Sequence, residues 1–357
     1  MECILVINPG STSTKIAVFQ DEKEIFNETI QHSADEIKQY KKIIDQHEFR
    51  TKLILGTLKS KGVLLEEVSA IGARGGLLHP LESGTYLVND DMINDLSSAR
   101  YGEHASNLGA IIARAFSIQI GKPAFIVDPV IVDEMTEIAK ISGFKGIKRV
   151  SIWHALNQKF IARQAAKELG KTYKDANLII VHLGGGISIA AHCKGKAVDV
   201  NNALNGDGPF SPERAGGLPL IGLVNLCYSK KYTYEEMKKN LAGKGGLVSH
   251  LGINSAIEVE KRIKNGDKHA KLVYEAMAYQ IAKTIGEMST VLQGNVDAIV
   301  ITGGIAYSKI LTEWIKERVS FIAPVKVYPG EDELNAIAQG VLRVIRKEEE
   351  IKLYESV

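Results

Sequence analysis

Two stretches of the chain alternate apolar runs with glycine-containing turns in the same order. Residues 4–18, ILVINPGSTSTKIAV, align without a gap with residues 178–192, LIIVHLGGGISIAAH. In each stretch four apolar residues lead to one polar residue, then to a turn, and then to a second apolar run. A second turn and a further strand-like run follow each stretch. The pattern predicts two strand-turn-strand-turn-strand units and therefore an internal repeat.

Strand-like and helix-like segments alternate after each of these units. After the first unit, apolar runs at 68–72 and 123–127 flank a helical pattern at 105–118. After the second unit the pattern predicts helices at about 255–265 and 269–293, strands at 298–302 and 325–328, and a closing helix at about 333–348. Alternation of this kind indicates a mostly parallel, helix-covered sheet, and its repetition indicates two such sheets. The sequence therefore predicts an α/β fold with two duplicated domains.

Length, charge and cysteine content narrow the class of protein. A chain of 357 residues is too long for one comfortable core and suggests two domains. The 44 basic and 42 acidic residues form no basic block, so we expect no nucleic-acid partner. Cys3, Cys193 and Cys227 are far apart, which argues against structural zinc and favours a reducing compartment. The first apolar run, about five residues, is too short for a signal peptide or a membrane span, so we expect a cytoplasmic protein without a membrane partner.

The two turns have the composition of anion-binding sites. The first contains Gly10, Ser11, Thr12 and Ser13, and the second contains Gly184, Gly185 and Gly186. Backbone N–H groups and short hydroxyls approach a phosphate closely, although a plain tight hairpin is the alternative interpretation. Neither the P-loop spacing nor the dinucleotide-binding spacing occurs in the chain. We expect the two turns to face each other across a cleft and hold one polyphosphate, with Asn8 and Lys15 bracketing the first turn.

Seven short motifs, in order along almost the whole chain, carry a family resemblance. They are N-P-G-S-T-S-T-K at 8–15, A-R-G-G at 73–76, I-W-H-A at 152–155, H-L-G-G-G at 182–186, S-P-E-R-A-G-G at 211–217, T-G-G-I at 302–305 and G-E-D-E-L at 330–334. In these motifs the chain resembles the acetate and butyrate kinase family, part of the superfamily of actin, hexokinase and the Hsp70 ATPase. The resemblance implies two duplicated ribonuclease H-like (actin-like ATPase) domains with mixed sheets and a nucleotide cleft between them. It implies an acyl and phosphate lobe at 1–130 with 336–357, and a nucleotide-binding lobe at 131–335.

Within this family the chain looks most similar to butyrate kinases. Acetate kinases typically carry H-L-G-N-G where this chain has H-L-G-G-G, and H-R-x-x-H-G-G where it has A-R-G-G. The resemblance implies reversible, in-line phosphorylation of butyrate or a branched short-chain acid to the acyl phosphate, with ATP/ADP and Mg²⁺ as cofactors and a homo-oligomeric assembly. The alternatives are an acetate or propionate kinase, a sugar or polyol kinase, and a chaperone-like or filament-forming ATPase.

Two arginines and two acids are the candidates for the reaction itself. Arg74 and Arg214 suit the task because a planar guanidinium binds carboxylate or phosphoryl oxygens bidentately. Asp128 closes the apolar run P-A-F-I-V-D, where open α/β sheets place functional residues. Because a carboxylic acid is already ionised at neutral pH, no general base is needed, and we assign Asp128 to organising magnesium. Glu333 is the second magnesium candidate, and its neighbours Glu331 and Asp332 are close enough to confuse the assignment.

Histidines and a glycine pair complete the candidate set. Because of the resemblance, His154 at the start of a predicted helix is expected to donate to the transferring phosphoryl group. His182 and His104 are placed near the site by the same resemblance. Gly303 and Gly304 end the strand 298–302 and would let adenosine lie close to the backbone, with helix packing as the alternative. The sequence does not indicate the carbon-chain length of the acid substrate.

Overall fold

The repeated strand pattern folds into two units in the computed structural model, which describes residues 1–205 and 207–357. The first unit comprises Met1–Val132 with Asp332–Val357, and the second comprises Asp133–Glu331. In chain order the strands are β1 (Cys3–Pro9), β2 (Ser13–Gln20), β3 (Lys23–Gln31), β4 (Ala70–Arg74), β5 (Thr85–Leu87), β6 (Ala124–Val127), β7 (Asn177–Leu183), β8 (Ile187–Cys193), β9 (Lys196–Val200), β10 (Ala298–Gly303), β11 (Val325–Pro329) and β12 (Lys352–Leu353). The helices are α1 (Ala34–Lys38), α2 (His47–Ser60), α3 (Asp90–Ser97), α4 (Asn107–Ile120), α5 (Glu137–Lys140), α6 (Ala155–Glu168), α7 (Leu220–Tyr228), α8 (Tyr234–Leu241), α9 (Gly246–Leu251), α10 (Ala256–Lys264), α11 (Lys268–Val291), α12 (Lys309–Val319) and α13 (Glu333–Ile345).

One mixed sheet forms the centre of the first unit, with the strand order β12-β5-β6-β4-β1-β2-β3. β1, β2 and β3 form an antiparallel meander, whereas β4 runs parallel to β1 and β6 runs parallel to β4. The apolar residues of β1 are buried without alternation because this central strand is covered on both faces. Helices α4 and α13 pack against β1, β4 and β6. The C-terminal helix therefore belongs to the core of the first unit.

The sheet of the second unit repeats this arrangement, with the order β11-β10-β7-β8-β9. β7, β8 and β9 are antiparallel, and β10 and β11 run parallel to β7. Helices α6 and α11 pack against this sheet. The fold prediction of two duplicated units with mixed sheets is confirmed. The sheets are mixed rather than mostly parallel because each begins with an antiparallel meander. Across the described residues, no helix has the length and apolar character needed to cross a bilayer.

The carboxyl ends of the parallel strands lie at the same edge of each sheet as the first hairpin turn. In the first sheet Ile7 of β1 pairs with Ala73 of β4, which places Asn8 next to Arg74. Arg74 is the last residue of its strand, whereas the apolar run at 68–72 predicts a strand that ends two residues before it. In the second sheet Thr302 pairs with His182. Each sheet therefore brings its candidate residues to one edge.

Candidate functional site

The first turn joins β1 to β2 in the first unit. Gly10 N–H donates to the carbonyl of Ser13 at 2.8 Å, and the ladder between the strands begins at Pro9 and Thr14. Ser11 and Thr12 are exposed at the tip of the turn. Lys15 pairs directly with Asn8, so the two side chains lie on the same face of the sheet. The turn is an exposed hairpin flanked on one face by an amide and an ammonium group.

Three predicted site residues of the first unit meet at the carboxylate of Glu333. Asn8 Nδ2 donates to Glu333 Oε2 at 2.7 Å, and Arg74 Nη1 donates to the same oxygen at 3.1 Å. Asn8 and Arg74 come from the ends of adjacent parallel strands, and Glu333 begins α13. The side chain of Arg74 is 27% exposed and that of Glu333 is 18% exposed. The carboxylate holds the guanidinium at the sheet edge through one oxygen.

The three consecutive acids Glu331, Asp332 and Glu333 make different contacts in the structure. Asp332 caps α13 by accepting from the backbone N–H of Asn335 at 3.3 Å. Glu331 belongs to the second unit, where its Oε1 lies 3.1 Å from His182 Nε2. Glu333 alone of the three contacts Asn8 and Arg74. The magnesium role of Glu333 stays a prediction.

Asp128 follows β6 with a backbone conformation that costs energy. Its φ is +38°, a left-handed value, and the residue is 2% exposed. A non-glycine residue in such a conformation costs on the order of 1–3 kcal/mol and persists only when its surroundings enforce it. Here the Asp128 N–H donates to the Gly84 carbonyl at 3.0 Å, and Asp128 Oδ1 accepts from the Gly84 N–H at 2.8 Å. This pair of bonds fixes the carboxylate at the end of the strand.

His104 lies before α4 in the first unit. Its Nδ1 is 2.8 Å from the Ser106 hydroxyl. Partial desolvation, and then the positive charge of Arg74, lower the pKa of His104. Both effects favour the neutral ring of His104.

Two predicted histidines stack on each other in the second unit. The rings of His154 and His182 are nearly parallel, at 11°, with centroids 3.7 Å apart. His154, just before α6, has Nδ1 2.8 Å from the Ser188 hydroxyl, and His182 has Nδ1 2.7 Å from Asn157 Oδ1. His182 is 1% exposed, and its Nε2 makes no hydrogen bond of good geometry although Glu331 lies near. The second nitrogen of this buried ring therefore faces the Glu331 carboxylate.

The second turn, between β7 and β8, depends on its glycines. Gly184 N–H donates to the Gly186 carbonyl at 3.1 Å. A Cβ on Gly186 would lie 2.8 Å from the Ala203 carbonyl oxygen, and a Cβ on Gly184 would lie 3.2 Å from His182 Nε2. The Gly185 carbonyl accepts from the Ser211 hydroxyl at 2.6 Å. Because Gly184 and Gly186 have no side chains, the turn passes close to His182 and to the Ala203 backbone.

Gly303 is required by the approach of β10 to β7, whereas Gly304 is not constrained. The φ of Gly303 is +93°, and a Cβ there would lie 2.4 Å from the Leu183 carbonyl oxygen. Gly303 and Gly330 exchange backbone hydrogen bonds of 3.1 and 3.0 Å. No atom lies within 4 Å of a Cβ built on Gly304. Backbone packing therefore accounts for Gly303, and the adenosine role of both glycines stays a prediction.

Substitution of Gly303 by alanine is expected to destabilise the second unit by about 2–4 kcal/mol, because the added methyl meets backbone in a strained conformation. The measurement is the urea midpoint of unfolding. Gly286→Ala is the matched control: Gly286 lies in α11 with open space around it, so alanine there should stabilise by about 0.5–1 kcal/mol. Equal midpoints for the Gly303 variant and the unsubstituted protein would contradict the steric argument.

Arg214 lies in a loop that fixes its backbone more firmly than its side chain. The Ser211 N–H donates to the Arg214 carbonyl at 3.1 Å, and Arg214 N–H donates to the Ser211 hydroxyl at 3.2 Å. Its guanidinium donates to the neighbouring Glu213 at 3.3 Å, while Nε is buried and unpaired. A buried donor without an acceptor costs about 1–3 kcal/mol. This unpaired donor is consistent with an anionic ligand.

Sequence reasoning missed the residues that orient the two histidines. Asn157 lies three residues after His154, in the first turn of α6, and contacts His182. Ser188 follows the second turn in β8 and contacts His154. Asn157 could have been noticed because it is a polar residue close to His154 in the sequence. Ser188 lies 34 residues from His154, so their contact leaves no local pattern.

The donor chemistry of the first unit fits magnesium bound with a nucleotide. In the described part of the chain, no group of three or more His, Cys, Asp and Glu side chains is arranged to hold a metal ion. Magnesium commonly binds through one or two carboxylates together with water and phosphate oxygens. The two predicted magnesium carboxylates, Asp128 and Glu333, are each held by hydrogen bonds from other residues of the first unit, and their metal role stays a prediction.

Five strands of the first sheet, β6-β4-β1-β2-β3, repeat the order of the second sheet, and each sheet has a turn at the carboxyl edge of its parallel strands. This arrangement is that of the actin-like ATPase fold. The acetokinase family model matches residues 138–328, just over half of the 357 residues, and the chain belongs to this family. The family consists of kinases that use a carboxyl group as phosphoryl acceptor. The resemblance drawn from the motifs is thereby confirmed at the level of the family.

Several solved structures share this fold. Porphyromonas gingivalis acetate kinase is similar with a TM-score of 0.82 and 20% identity, covering 97% of this chain and 100% of that one. A propionate kinase from Francisella tularensis subsp. tularensis SCHU S4 has a TM-score of 0.77 and 21% identity, covering 95% of this chain and 99% of that one. Entamoeba histolytica acetate kinase has a TM-score of 0.75 and 16% identity, covering 95% of this chain and 98% of that one. At these identities the similarity establishes the fold alone.

Proposed function

We propose that this chain is a reversible kinase that transfers the γ-phosphoryl group of ATP directly to butyrate or a branched short-chain acid, giving the acyl phosphate. Family membership supports the reaction type. The observation that carries the proposal further is the position of Arg74, whose guanidinium makes one hydrogen bond, to Glu333, within the described residues. A guanidinium has five N–H donors, so most remain for an anionic substrate. A carboxylate acceptor, unlike a sugar hydroxyl, gains from such a cation.

In this proposal the first unit binds the reacting anions. The turn formed by Gly10, Ser11, Thr12 and Ser13 donates to phosphate oxygens, and Asn8 and Lys15 flank it. Arg74 binds the carboxylate or the transferring phosphoryl group. Asp128 and Glu333 would hold Mg²⁺, which would supply positive charge to offset that of the nucleotide phosphates.

The second unit supplies groups for the nucleotide and the transition state. The turn Gly184, Gly185 and Gly186 binds phosphate oxygens, and Gly303 and Gly304 let adenosine approach the backbone. His154, held by Ser188, donates to the transferring phosphoryl group. Arg214 stabilises the charge on its equatorial oxygens. Phosphoryl transfer depends mainly on positioning and on such electrostatic stabilisation.

The acceptor needs no base in this reaction. A carboxylic acid of ordinary pKa, about 4, is ionised at neutral pH, so its oxygen attacks phosphorus without losing a proton. A sugar or polyol kinase would instead need Asp128 to remove a proton from the hydroxyl acceptor. The two proposals therefore differ in the role of one carboxylate.

Trapping with hydroxylamine tests the proposed reaction. Incubation of the protein with ATP, Mg²⁺ and butyrate is expected to give a hydroxamate, because hydroxylamine attacks the acyl phosphate. Parallel incubations with glucose and glycerol, followed by measurement of ADP, provide the comparison for a hydroxyl acceptor. Absence of hydroxamate with every acid from two to six carbons would overturn the carboxylate kinase proposal.

A panel of acids compared by kcat/KM tests the preference for butyrate. One methylene in an apolar pocket changes binding by about 1–3 kcal/mol, or roughly 10–200-fold. We expect kcat/KM for butyrate or isobutyrate to exceed that for acetate by at least about tenfold on this basis. A maximum at acetate or propionate would contradict the butyrate assignment and leave the carboxylate kinase intact.

A further inference from the structure

Arg50 of α2 is a buried guanidinium directed at the first turn. The residue is 1% exposed, although arginine is rarely buried without an ionic partner. Nη1 donates to the carbonyls of Gly10 and Ser13 at 2.7 and 3.1 Å, and Nη2 donates to the Ser11 carbonyl at 3.2 Å. Three carbonyls of one four-residue turn are therefore held by a single side chain from a separate helix.

The remaining partners of Arg50 are uncharged. Nε and Nη2 donate to Gln46 Oε1 at 3.1 and 2.7 Å, and Nη1 donates to the Thr14 hydroxyl at 3.1 Å. His32 lies 2.8 Å from that hydroxyl. Desolvation, followed by the charge of Arg50, lowers the pKa of His32 to about 4, so the imidazole is neutral. None of the described carboxylates forms a salt bridge with Arg50.

The bonds from Arg50 determine which way the turn presents its N–H groups. In a planar trans peptide the N–H points opposite to the preceding carbonyl. Because the carbonyls of Gly10 and Ser11 point inward to the guanidinium, the N–H groups of Ser11 and Thr12 point away from it. Both residues are exposed, and within the described residues neither N–H donates to a protein acceptor. The turn thus presents two adjacent donors of the kind that bind anions.

The charge of Arg50 favours the same ligand. Burial lowers its pKa to about 10, so the guanidinium still carries its charge at pH 7. A buried charge without an opposite charge is costly, and a bound anion relieves part of that cost. A phosphate group at the N–H groups of Ser11 and Thr12 would supply the missing negative charge through the turn.

We propose that Arg50 is a positioning residue for the phosphate-binding turn: it holds the turn carbonyls inward, and its uncompensated charge favours a phosphoryl group at the Ser11 and Thr12 N–H groups. This inference rests on the proposed function, because it assigns the polyphosphate of ATP to this turn. Arg50 itself does not touch the reacting atoms.

The test compares ATP with AMP in Arg50→Lys. A single ammonium keeps the charge but lacks the planar fork that reaches the Gly10, Ser11 and Ser13 carbonyls together. Misplacement of a positioning group by about 1 Å can cost on the order of 10²-fold, so we expect kcat/KM for ATP to fall by about 10–100-fold. Calorimetry should show weaker ATP binding and unchanged AMP binding, since AMP lacks the β- and γ-phosphates.

Matched variants separate positioning from general damage to the fold. Arg114→Lys is the control, because Arg114 makes an ion pair with the exposed Asp90 and should behave like the unsubstituted protein. Thr14→Val removes one acceptor of Arg50 and keeps the side-chain shape. We expect it to weaken ATP binding less than Arg50→Lys does and to leave AMP binding unchanged. Equal losses of ATP and AMP affinity in Arg50→Lys, or no loss of either, would overturn the inference. Failure of the unsubstituted protein to form hydroxamate would instead count against the proposed function.

Discussion

Replacement of Arg214 by alanine is expected to lower kcat for acyl phosphate formation by about 10³-fold while changing the Kd for ATP by less than about threefold. An arginine that stabilises charge developing on the transferring phosphoryl group acts mainly in the transition state. Its loss therefore appears in kcat and spares ground-state binding. The measurement combines hydroxamate kinetics with calorimetric titration of ATP.

The surroundings of Arg214 indicate that the fold tolerates this change. Its side chain donates to its own neighbour Glu213, and its buried Nε has no acceptor, so alanine removes an unpaired donor. Arg318→Ala is the matched control, because Arg318 forms a half-exposed ion pair with Glu275 in the same unit. Exposed pairs of this kind contribute about 0–1 kcal/mol to stability. Turnover of Arg214→Ala equal to that of the control would refute the assigned role.

Arg214→Lys refines the same test. Lysine keeps the positive charge but loses the bidentate geometry, so we expect it to recover only part of the lost kcat. Full recovery would show that charge alone is needed at this position. A parallel rise in the Kd for ATP would show that Arg214 contributes to ground-state binding of the nucleotide rather than only to the transition state.

The duplicated sheets could be predicted because their pattern follows burial directly. β1 and β7 are central strands with uninterrupted buried apolar residues, and each leads into a glycine turn. Burial on both faces requires a continuous run of apolar residues, and such a run can be recognised in the sequence alone. Strand ends were less certain: β4 was expected at 68–72 and occupies Ala70–Arg74, because pairing with β1 sets the register.

Only one of the contacts made by the acidic run Glu331–Glu333 could have been predicted from a local rule. Aspartate is a preferred N-cap residue, so the capping role of Asp332 was open to prediction. Glu333 then falls in the first helical turn, where its contacts with Asn8 and Arg74 depend on residues more than 250 positions away. Such contacts come from tertiary structure and leave no trace in the local sequence.

Arg50 was missed although part of its signal is local. Arg50, Ile54 and Leu58 lie four residues apart on one face of α2, and all three are buried. This spacing places the arginine on the apolar face, where a charged residue is unusual. Its acceptors in the first turn lie 37 to 40 residues away, so the sequence could have marked the position without revealing its role.

Substitution of Asp128 by asparagine is expected to lower kcat by about 10²-fold and to raise the Mg²⁺ concentration for half-maximal activity by about 10-fold. Asparagine has the same size, its amide oxygen can still accept the Gly84 N–H, and it tolerates positive φ better than most residues. The fold should therefore survive, and the change removes one negative charge. Hydroxamate rates measured across a Mg²⁺ titration give both quantities.

The Mg²⁺ titration separates the two roles open to Asp128. If the carboxylate organises the metal, added Mg²⁺ restores part of the lost rate, because weaker binding is overcome by mass action. If it were a general base, the rate would stay low at every Mg²⁺ concentration. Asp95→Asn is the control: Asp95 is a buried acid of the same unit that binds Tyr354 and Ser356, so its loss should lower stability without shifting the Mg²⁺ dependence. An unshifted titration for Asp128→Asn would remove Asp128 from the magnesium site.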